Sequence, residues 1–354
     1  MKGLILSGGK GTRLRPITFT SAKQLVPVGN KPILFYGIEA LVASGIKEIG
    51  IIVGDTHKDI KAAVGDGSKW NIKVTYIQQD APRGLAHAVM IAEDFMDGND
   101  FVMYLGDNMI MSGVQEFIEG FNKAKPDASI LLAHVPNPSS FGVAELDGEK
   151  VVKLVEKPKE PKSDLALVGV YLFSNEIFKA VKSIEPSPRN ELEITDAIQW
   201  LIENSYNVSF TIIKGWWKDT GKLNDMLEAN RMVLDTIQTE IKGSISEDSE
   251  IHGRVRIADN VEVKNSIIRG PVVIGEGTKI INSYIGPYTS ISEGCYINES
   301  EIEHSIILQN SRIDSIETRI EGSLLGKNVK VSKSKSKPRS NRFMVGDNSE
   351  IIIL

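Results

Sequence analysis

GLILSGGKGTRLRP, residues 3–16, joins a short apolar run to a glycine-rich loop that contains two arginines. The run GLILS predicts a buried strand, and glycines directly behind a strand let backbone N–H groups turn toward an anion. Arg13 adds a planar guanidinium that can bind two phosphate oxygens at once. The stretch therefore predicts an α/β fold with a phosphate-binding loop after its first strand.

This loop differs from the two common nucleotide-binding loops. A P-loop requires lysine after the glycine at position 8, where the chain has Gly9. The dinucleotide-binding fingerprint requires glycine at position 14, which is Leu14. Kinase, ATPase and NAD-dependent functions therefore lose their strongest support.

The first two thirds of the chain alternate β-branched runs with amphipathic segments, a pattern typical of βα units on a largely parallel sheet. Strand patterns follow one another without helices between residues 141 and 174, which predicts an antiparallel or mixed section. A last helix is predicted from about residue 222 to 241. We therefore expect a Rossmann-like, mixed-sheet α/β domain over residues 1–240. Its first strands are predicted at 3–7, 48–54, 73–78, 101–106 and 128–135.

After Gly243 the apolar residues recur every six positions, with Gly, Asn, Asp and Ser between them. A period of six fits a parallel β-helix, in which each face presents one inward aliphatic side chain. We assign residues 243–354 to this hexapeptide-repeat domain, with a basic linker near 332–342. The register slips at 266–268, so some coils must differ in length. The first apolar residues of this period are Ile245, Ile251, Ile257 and Val263.

Bulk composition limits the partners and the compartment. The net charge of −5 provides no overall basic field for nucleic acid or anionic lipid, so we expect neither partner. No apolar run reaches the roughly 18 residues of a membrane helix, and the N-terminal residues do not resemble a signal peptide. Cys295 is the only cysteine, so an internal disulfide is excluded. We expect a cytoplasmic protein.

Two adjacent motifs carry a family resemblance. GGxGTRLxPxT at residues 8–18, followed by SAKQLVPV at 21–28, resembles the sugar-1-phosphate nucleotidyltransferase family. The nearest branch is that of the glucose-1-phosphate thymidylyltransferases with a hexapeptide-repeat tail. The resemblance implies a nucleotidyltransferase domain followed by a left-handed parallel β-helix. It also implies transfer of a nucleotidyl group from dTTP to glucose 1-phosphate, giving dTDP-glucose and pyrophosphate.

The resemblance also implies a nucleotide site. The residues at the glycine loop would hold the triphosphate, and Gln79 and Gly84 would read the edge of the pyrimidine. Lys23 would contact phosphate beside the reacting centre, so that Arg13, Lys23 and Lys157 form the catalytic set. The nucleotide-binding set is Leu6, Gly8, Gly9, Gly11, Thr12, Arg13, Gln79, Gly84 and Asp107.

Two aspartates far apart in the sequence form a candidate metal site. Asp107 follows an apolar strand, and the carboxyl ends of strands are where open α/β sheets keep their sites. Asp219, in WKDTG, supplies a second carboxylate. Mg²⁺ binds through one or two carboxylates together with substrate phosphates and water. We therefore expect Mg²⁺ as the cofactor, held by Asp107 and Asp219.

The sugar site is assigned by the resemblance alone. Glu156 would accept hydrogen bonds from sugar hydroxyls, and Lys157 would bind the sugar phosphate. The full set is Gly142, Glu156, Lys157 and Val168. Glu191 either belongs to this pocket or is, together with Glu193, a first-turn carboxylate that a helix dipole favours.

Several alternatives remain open from the sequence. Arg83, next to the base loop, leaves UTP or broad nucleotide specificity possible, and the identity of the sugar 1-phosphate is not fixed. His252 and His304 in the repeats leave open a second, acetyltransferase activity. A non-catalytic regulatory homologue is disfavoured, because the phosphate and metal ligands are present. The repeat domain predicts a homo-oligomer.

Overall fold

A computed structural model describes residues 1–9, 11–333 and 341–353. The predicted basic linker lies mostly outside these residues. The chain forms two compact units. The first comprises Met1–Lys10, Ala22–Leu25 and Ile33–Asp219, and the second comprises Gly11–Ser21, Val26–Pro32 and Thr220–Leu354.

A nine-stranded mixed sheet runs through the first unit. Lys2–Ser7 lies between Glu48–Val53 and Phe101–Leu105 and is parallel to both, and Lys73–Gln78 continues the parallel part. Leu165–Phe173 pairs antiparallel with Phe101–Leu105, which confirms the predicted mixed section. Because the parallel strands lie in register, their carboxyl ends meet at one edge of the sheet. The other strands are Ala128–His134, Gly142–Asp147, Lys150–Glu156 and Val208–Ile212.

Helices and one short ladder complete the first unit. The amphipathic segment GLAHAVMIAEDFM, residues 84–96, forms two short helices instead of one, because the Ala92 N–H donates to the carbonyl of Val89 only three residues earlier. Asn108–Ile110 pairs antiparallel with Trp217–Asp219, so the loop after Phe101–Leu105 meets the end of the unit. Among the described residues, the helices are too short or too polar to cross a bilayer. The α-helices are Ile33–Ala43, His57–Val64, Leu85–Met90, Glu93–Met96, Gln115–Ala124, Ile177–Ser183 and Ile194–Glu203.

The second unit contains the predicted left-handed parallel β-helix. Its strands form three parallel sheets of six, six and five strands. Ile257, Ile274 and Ile291 stack on one face and are fully buried. Their positions give 17 residues per coil instead of 18, which accounts for the register slip. The strands are Glu240–Ile241, Ser244–Ile245, Glu250–His252, Val255–Ile257, Glu262–Lys264, Ile267–Arg269, Val272–Ile274, Lys279–Ile281, Tyr284–Ile285, Thr289–Ile291, Tyr296–Asn298, Glu301–Glu303, Ile306–Ile307, Arg312–Asp314, Ile320–Glu321, Leu324–Leu325 and Lys330–Ser332.

One predicted boundary is wrong. The helix expected to reach residue 241 spans Leu223–Leu234. Ile237 then packs in a small buried cluster with Leu234 and Val273. Glu240–Ile241 already forms a strand that pairs with the β-helix strand Val255–Ile257. The apolar pattern of the sequence continues beyond Leu234, but the helix ends there, because Ile237 is buried in this cluster and Glu240–Ile241 pairs with the β-helix.

Candidate active site

The candidate nucleotide loop begins where three neighbouring strand ends come close together. A Cβ added to Gly54 would lie 2.8 Å from the carbonyl oxygen of Gly8, and one added to Gly106 would lie 2.9 Å from that of Leu6. Such distances exclude any side chain at Gly54 and Gly106. Because the side chain of Leu6 is itself buried, Leu6 and Gly8 present backbone at this edge. Gly9 is exposed.

Lys23 lies between the two predicted metal ligands. Its side chain is only 6% exposed, and Nζ donates to Oδ2 of Asp107 at 2.5 Å. Nζ lies 3.7 Å from Oδ1 of Asp219. We call these three residues the Lys23 cluster. The structure thus brings together two carboxylates that lie more than a hundred residues apart, with one cation between them.

Asn108 orients Asp107 within this cluster. Its amide Nδ2 donates to Oδ1 of Asp107 at 2.9 Å, and its Oδ1 accepts from the indole of Trp217 at 2.5 Å. The short ladder places Asp219 opposite Asn108. A Cβ added to Gly169 would lie 3.0 Å from Oδ1 of Asn108, so this packing needs glycine. Each carboxylate of the cluster is therefore held by the fold.

The charge of Asp107 is stabilised by its neighbours. Burial by itself raises the pKa of this carboxyl, but the Lys23 ammonium and the hydrogen bonds from Lys23 and Asn108 outweigh burial. The net pKa of Asp107 lies below its ordinary value. At neutral pH the site therefore offers ionised, hard oxygen donors of the kind that divalent cations prefer.

Gln79 is held in place by contacts with His87 and Gly84. Its Nε2 lies 3.1 Å from Nδ1 of His87 and 3.4 Å from the carbonyl of Gly84, while its Oε1 faces Gly8. Gly84 has φ 99°, and a Cβ there would lie 2.3 Å from the carbonyl oxygen of Leu192. The amide of Gln79 is thus held in one orientation beside the loop, as reading the edge of a base requires.

Glu156 lies at the centre of the predicted sugar site. Gly142 is its neighbour across the ladder, and a Cβ on Gly142 would lie 3.2 Å from Oε2 of Glu156 and 2.7 Å from the methyl of Thr195. Nζ of Lys157 lies 3.3 Å from Oε1 of Glu156 and is largely exposed. Gly142 therefore leaves room beside the Glu156 carboxylate.

Arg189 joins Glu156 to a second carboxylate. It donates to Oε1 of Glu156 at 3.1 Å and to Oε1 of Glu193 at 2.8 Å. Glu193 is 3% exposed, while Glu191 is at the rim, 3.5 Å from Arg189. We call Glu156, Lys157, Arg189 and Glu193 the Glu156 cluster. The more deeply held of the two glutamates considered from the sequence is Glu193, not Glu191.

Val168 and Gly169 lie at an irregularity of the sheet. The register of Leu165–Phe173 against Ala128–His134 shifts between Leu167 and Tyr171. Gly169 has φ 68°, and the side chain of Val168 is fully buried. Any contact of Val168 with a sugar would therefore be made by its backbone. Bulges of this kind re-aim the chain next to active sites.

The remaining predicted ligands belong to the second unit. Gly11 has φ 61° and precedes the 3₁₀ helix Thr12–Leu14, so it takes a conformation that favours glycine. Thr12 and Arg13 are exposed. A Cβ added to Gly221 would lie 3.3 Å from the guanidinium carbon of Arg13, and this contact needs a residue without a side chain.

Metal binding at the Lys23 cluster would depend on donors beyond protein side chains. Among the described residues, no group of three or more His, Cys, Asp or Glu side chains is placed to hold an ion. The two carboxylates of Asp107 and Asp219 fit an ion that completes its coordination with substrate phosphates and water.

Sequence reasoning missed several side chains that shape these clusters. Asn108 and His87 have no role in the sequence analysis, and Trp217 enters it only as the first residue of WKDTG. Arg189 received no role, although it follows a proline and precedes two glutamates. Their partners lie far away in sequence, and local patterns carry no signal for such contacts.

Comparisons with known proteins show the family of this chain. The nucleotidyl transferase family profile matches residues 2–236. A glucose-1-phosphate thymidylyltransferase of Streptomyces griseus is 55% identical over 99% of this chain and 98% of its own. One from Streptomyces antibioticus is 54% identical over 100% and 99%.

A solved structure matches about two thirds of this chain. It is a Bacillus anthracis protein described as a glucose-1-phosphate thymidylyltransferase in complex with sucrose. It has 37% identity and a TM-score of 0.64, and the match covers 68% of this chain and 98% of that one. The resemblance drawn from the glycine loop is confirmed: this chain belongs to the nucleotidyl transferase family and is a nucleotidyltransferase.

Proposed function

We propose that this enzyme transfers a thymidylyl group from dTTP to glucose 1-phosphate, giving dTDP-glucose and pyrophosphate. The two Streptomyces relatives, similar over their whole lengths, carry the name of this activity. The observation that carries the proposal is the Lys23 cluster, where a buried ammonium and two carboxylates meet at the carboxyl edge of the sheet. This arrangement suits chemistry on phosphates.

The reaction needs orientation and charge neutralisation more than a strong base. An oxygen of the sugar phosphate, already anionic near neutral pH, attacks the α-phosphorus of dTTP. The bond from that phosphorus to the bridging oxygen breaks, and pyrophosphate leaves with the electron pair. Lys23 neutralises charge beside the reacting phosphate, while Arg13 and the backbone of Gly8, Gly9 and Gly11 hold the triphosphate.

Nucleotidyltransferases of this family generally use a divalent metal ion, and we assign Mg²⁺ to Asp107 and Asp219. When bound, Mg²⁺ would offset the charge of the phosphate oxygens. The hydrogen bond from Asn108 and the ion pair with Lys23 keep Asp107 ionised and oriented for this role.

Recognition of the two substrates is assigned to separate loops. Gln79 reads the pyrimidine edge, with its amide fixed by His87 and Gly84. Glu156 accepts hydrogen bonds from sugar hydroxyls, in exchange for its present contact with Arg189. Lys157 binds the phosphate of the sugar, beside the space that Gly142 leaves open.

Pyrophosphate release tests this function. The full chain is assayed with Mg²⁺ and with dTTP, UTP, ATP, CTP or GTP against glucose, galactose or glucosamine 1-phosphate. We expect the strongest release from dTTP with glucose 1-phosphate. A preference for UTP would replace dTTP as the assigned nucleotide. If the folded protein released no pyrophosphate with any pair of substrates, catalysis would be refuted. The cytoplasmic location and homo-oligomeric state belong to the same proposal.

A further inference from the structure

The segment that carries Lys23 is short and has the second unit on both sides along the chain. Ala22–Leu25 belongs to the first unit, whereas the preceding Gly11–Ser21 and the following Val26–Pro32 belong to the second. Lys23–Leu25 is a single 3₁₀ turn closed by the Leu25 N–H and the carbonyl of Ala22. A segment of four residues can move little when the chain on both sides of it is held in place. The position of Lys23 therefore depends on how firmly Gly11–Ser21 and Val26–Pro32 are held.

Asn30 ties the following segment to the β-helix. Pro27–Val28 and Lys31–Pro32 form a two-stranded hairpin with Asn30 at its tip, where φ is 62°. Nδ2 of Asn30 donates to the carbonyl of Ile291 at 2.6 Å, and its Oδ1 accepts from the hydroxyl of Ser292 at 3.4 Å. The side chain of Asn30 thus forms hydrogen bonds with two consecutive residues of a β-helix coil.

Asn230 holds the same hairpin from the helix Leu223–Leu234. It is fully buried, and its Oδ1 accepts from the N–H of Gly29 at 2.9 Å and from the hydroxyl of Ser290 at 2.7 Å. Its Nδ2 donates to the carbonyl of Tyr288 at 3.0 Å. Three hydrogen bonds of one buried amide therefore join the helix, the hairpin and the coil.

The preceding segment also contacts the β-helix. A Cβ added to Gly326 would lie 3.2 Å from the terminal methyl of Ile17, so the coil packs closely on the 3₁₀ helix Ile17–Phe19. Both chain neighbours of the Lys23 turn are consequently anchored on the repeat coils, at Gly326 on one side and at residues 288–292 on the other.

We propose that Asn30 and Asn230 are positioning residues for the nucleotidyl transfer, acting through the hairpin on Lys23. The β-helix then contributes to turnover within a single chain, whatever its role in assembly. Catalytic side chains must be held to within about half an ångström of their productive geometry. Loosening the hairpin therefore lowers kcat and changes KM for dTTP little, because Gln79 and the glycine loop bind the nucleotide independently.

The test uses the full chain with Asn30→Gly. Glycine adopts the left-handed backbone of this position without strain, so the variant removes the side-chain hydrogen bonds alone. Asn282→Gly is the matched control: Asn282 is another left-handed asparagine, with φ 48°, and its Oδ1 accepts from Nδ2 of Asn265, another β-helix residue. We expect kcat to fall about tenfold in Asn30→Gly and to stay at the wild-type value in Asn282→Gly. Asn230→Ala should resemble Asn30→Gly.

The kcat measurement rests on the proposed function. Hydrogen–deuterium exchange is therefore added as a second measurement, which does not require activity. Amides of residues 22–25 should exchange faster in Asn30→Gly than in the wild type, with no change in peptides of the large sheet. Equal kcat and equal exchange at residues 22–25 in Asn30→Gly and Asn282→Gly would overturn the proposal. If the wild type releases no pyrophosphate, the function fails, and exchange alone then decides whether the hairpin controls the Lys23 turn.

Discussion

The Lys23 cluster and the Glu156 cluster each pair a lysine with carboxylates, yet their surroundings differ. Lys23 is 6% exposed and lies 2.5 Å from Asp107, whereas Lys157 is 45% exposed and lies 3.3 Å from Glu156. A buried ion pair is held in one geometry and loses much if one partner is removed, while an exposed pair is screened and adaptable. The Lys23 cluster therefore suits charge neutralisation at a reacting centre, and the Glu156 cluster suits recognition.

Removing the buried ammonium should have the largest effect. We predict that Lys23→Ala lowers kcat by about 10²–10³-fold, the range for losing one preorganised group that stabilises charge in a transition state. The KM for dTTP should change far less, since other groups bind the nucleotide. Steady-state pyrophosphate release at saturating substrates measures both values.

A control separates this effect from unfolding. Lys23→Ala leaves Asp107 and Asp219 without the cation between them, so the melting temperature is compared with that of the wild type in Mg²⁺. Near-normal turnover in the folded variant would remove Lys23 from the mechanism, and the contrast between the two clusters would lose its basis.

The carboxylates of the Lys23 cluster give the next largest effect. Asp219→Asn keeps the shape of the side chain and removes its charge, so we predict that the Mg²⁺ concentration for half-maximal activity rises about 10–100-fold. Asp164→Asn, at an exposed aspartate paired with His134, serves as the control. A metal titration that is the same in both variants would refute the assignment of Asp219.

Local sequence signals explain why much of this arrangement was predictable. The run before Gly8 and the run before Asp107 are continuous apolar strands bounded by turn residues, so both loops could be placed at one edge of the sheet from the sequence. The six-residue period of the repeats is also a local signal, because each coil of a β-helix packs only on its neighbouring coils. The strands and the β-helix were therefore predicted correctly.

Contacts set by distant residues were beyond local patterns. Arg189 and Glu156 lie 33 positions apart, and Trp217 and Asn108 lie 109 apart, and nothing in either short motif specifies its partner. The end of the helix Leu223–Leu234 was misplaced for the same reason, because pairing of Glu240–Ile241 with a later coil overrides an apolar helical pattern. Long-range packing, not composition, fixed these features.

The Glu156 cluster should give a smaller and more selective effect. We predict that Glu156→Gln raises the KM for glucose 1-phosphate about tenfold, as expected for one weakened charged hydrogen bond of about 1.5 kcal/mol. The KM for dTTP should remain unchanged, because the proposed base contact is made by Gln79 and not by Glu156. Initial rates with one substrate varied at a time distinguish the two. Glu160→Gln, on the neighbouring loop, is the control, and an equal rise for both substrates would contradict a separate recognition cluster.

His87 contrasts with Lys23, because it is buried without the compensating charge that Lys23 has. Burial lowers the pKa of His87, assisted by the charge of Arg83 and only partly opposed by Asp80. The folded protein therefore binds this proton less readily than the unfolded chain, whose histidine titrates near a pKa of about 6.5. Stability from neutral His87 is complete above that pH and declines as the pH falls through it.

We predict a small, pH-dependent difference between the wild type and His87→Gln, which keeps a polar partner for Gln79 and does not titrate. Urea unfolding at pH 8 and at pH 5.5 should show that the unfolding free energy of the wild type falls more than that of the variant. Parallel behaviour of the two proteins would mean that burial of His87 does not suppress its charge. The contrast with Lys23 would then reflect side-chain chemistry and not the presence of a compensating partner.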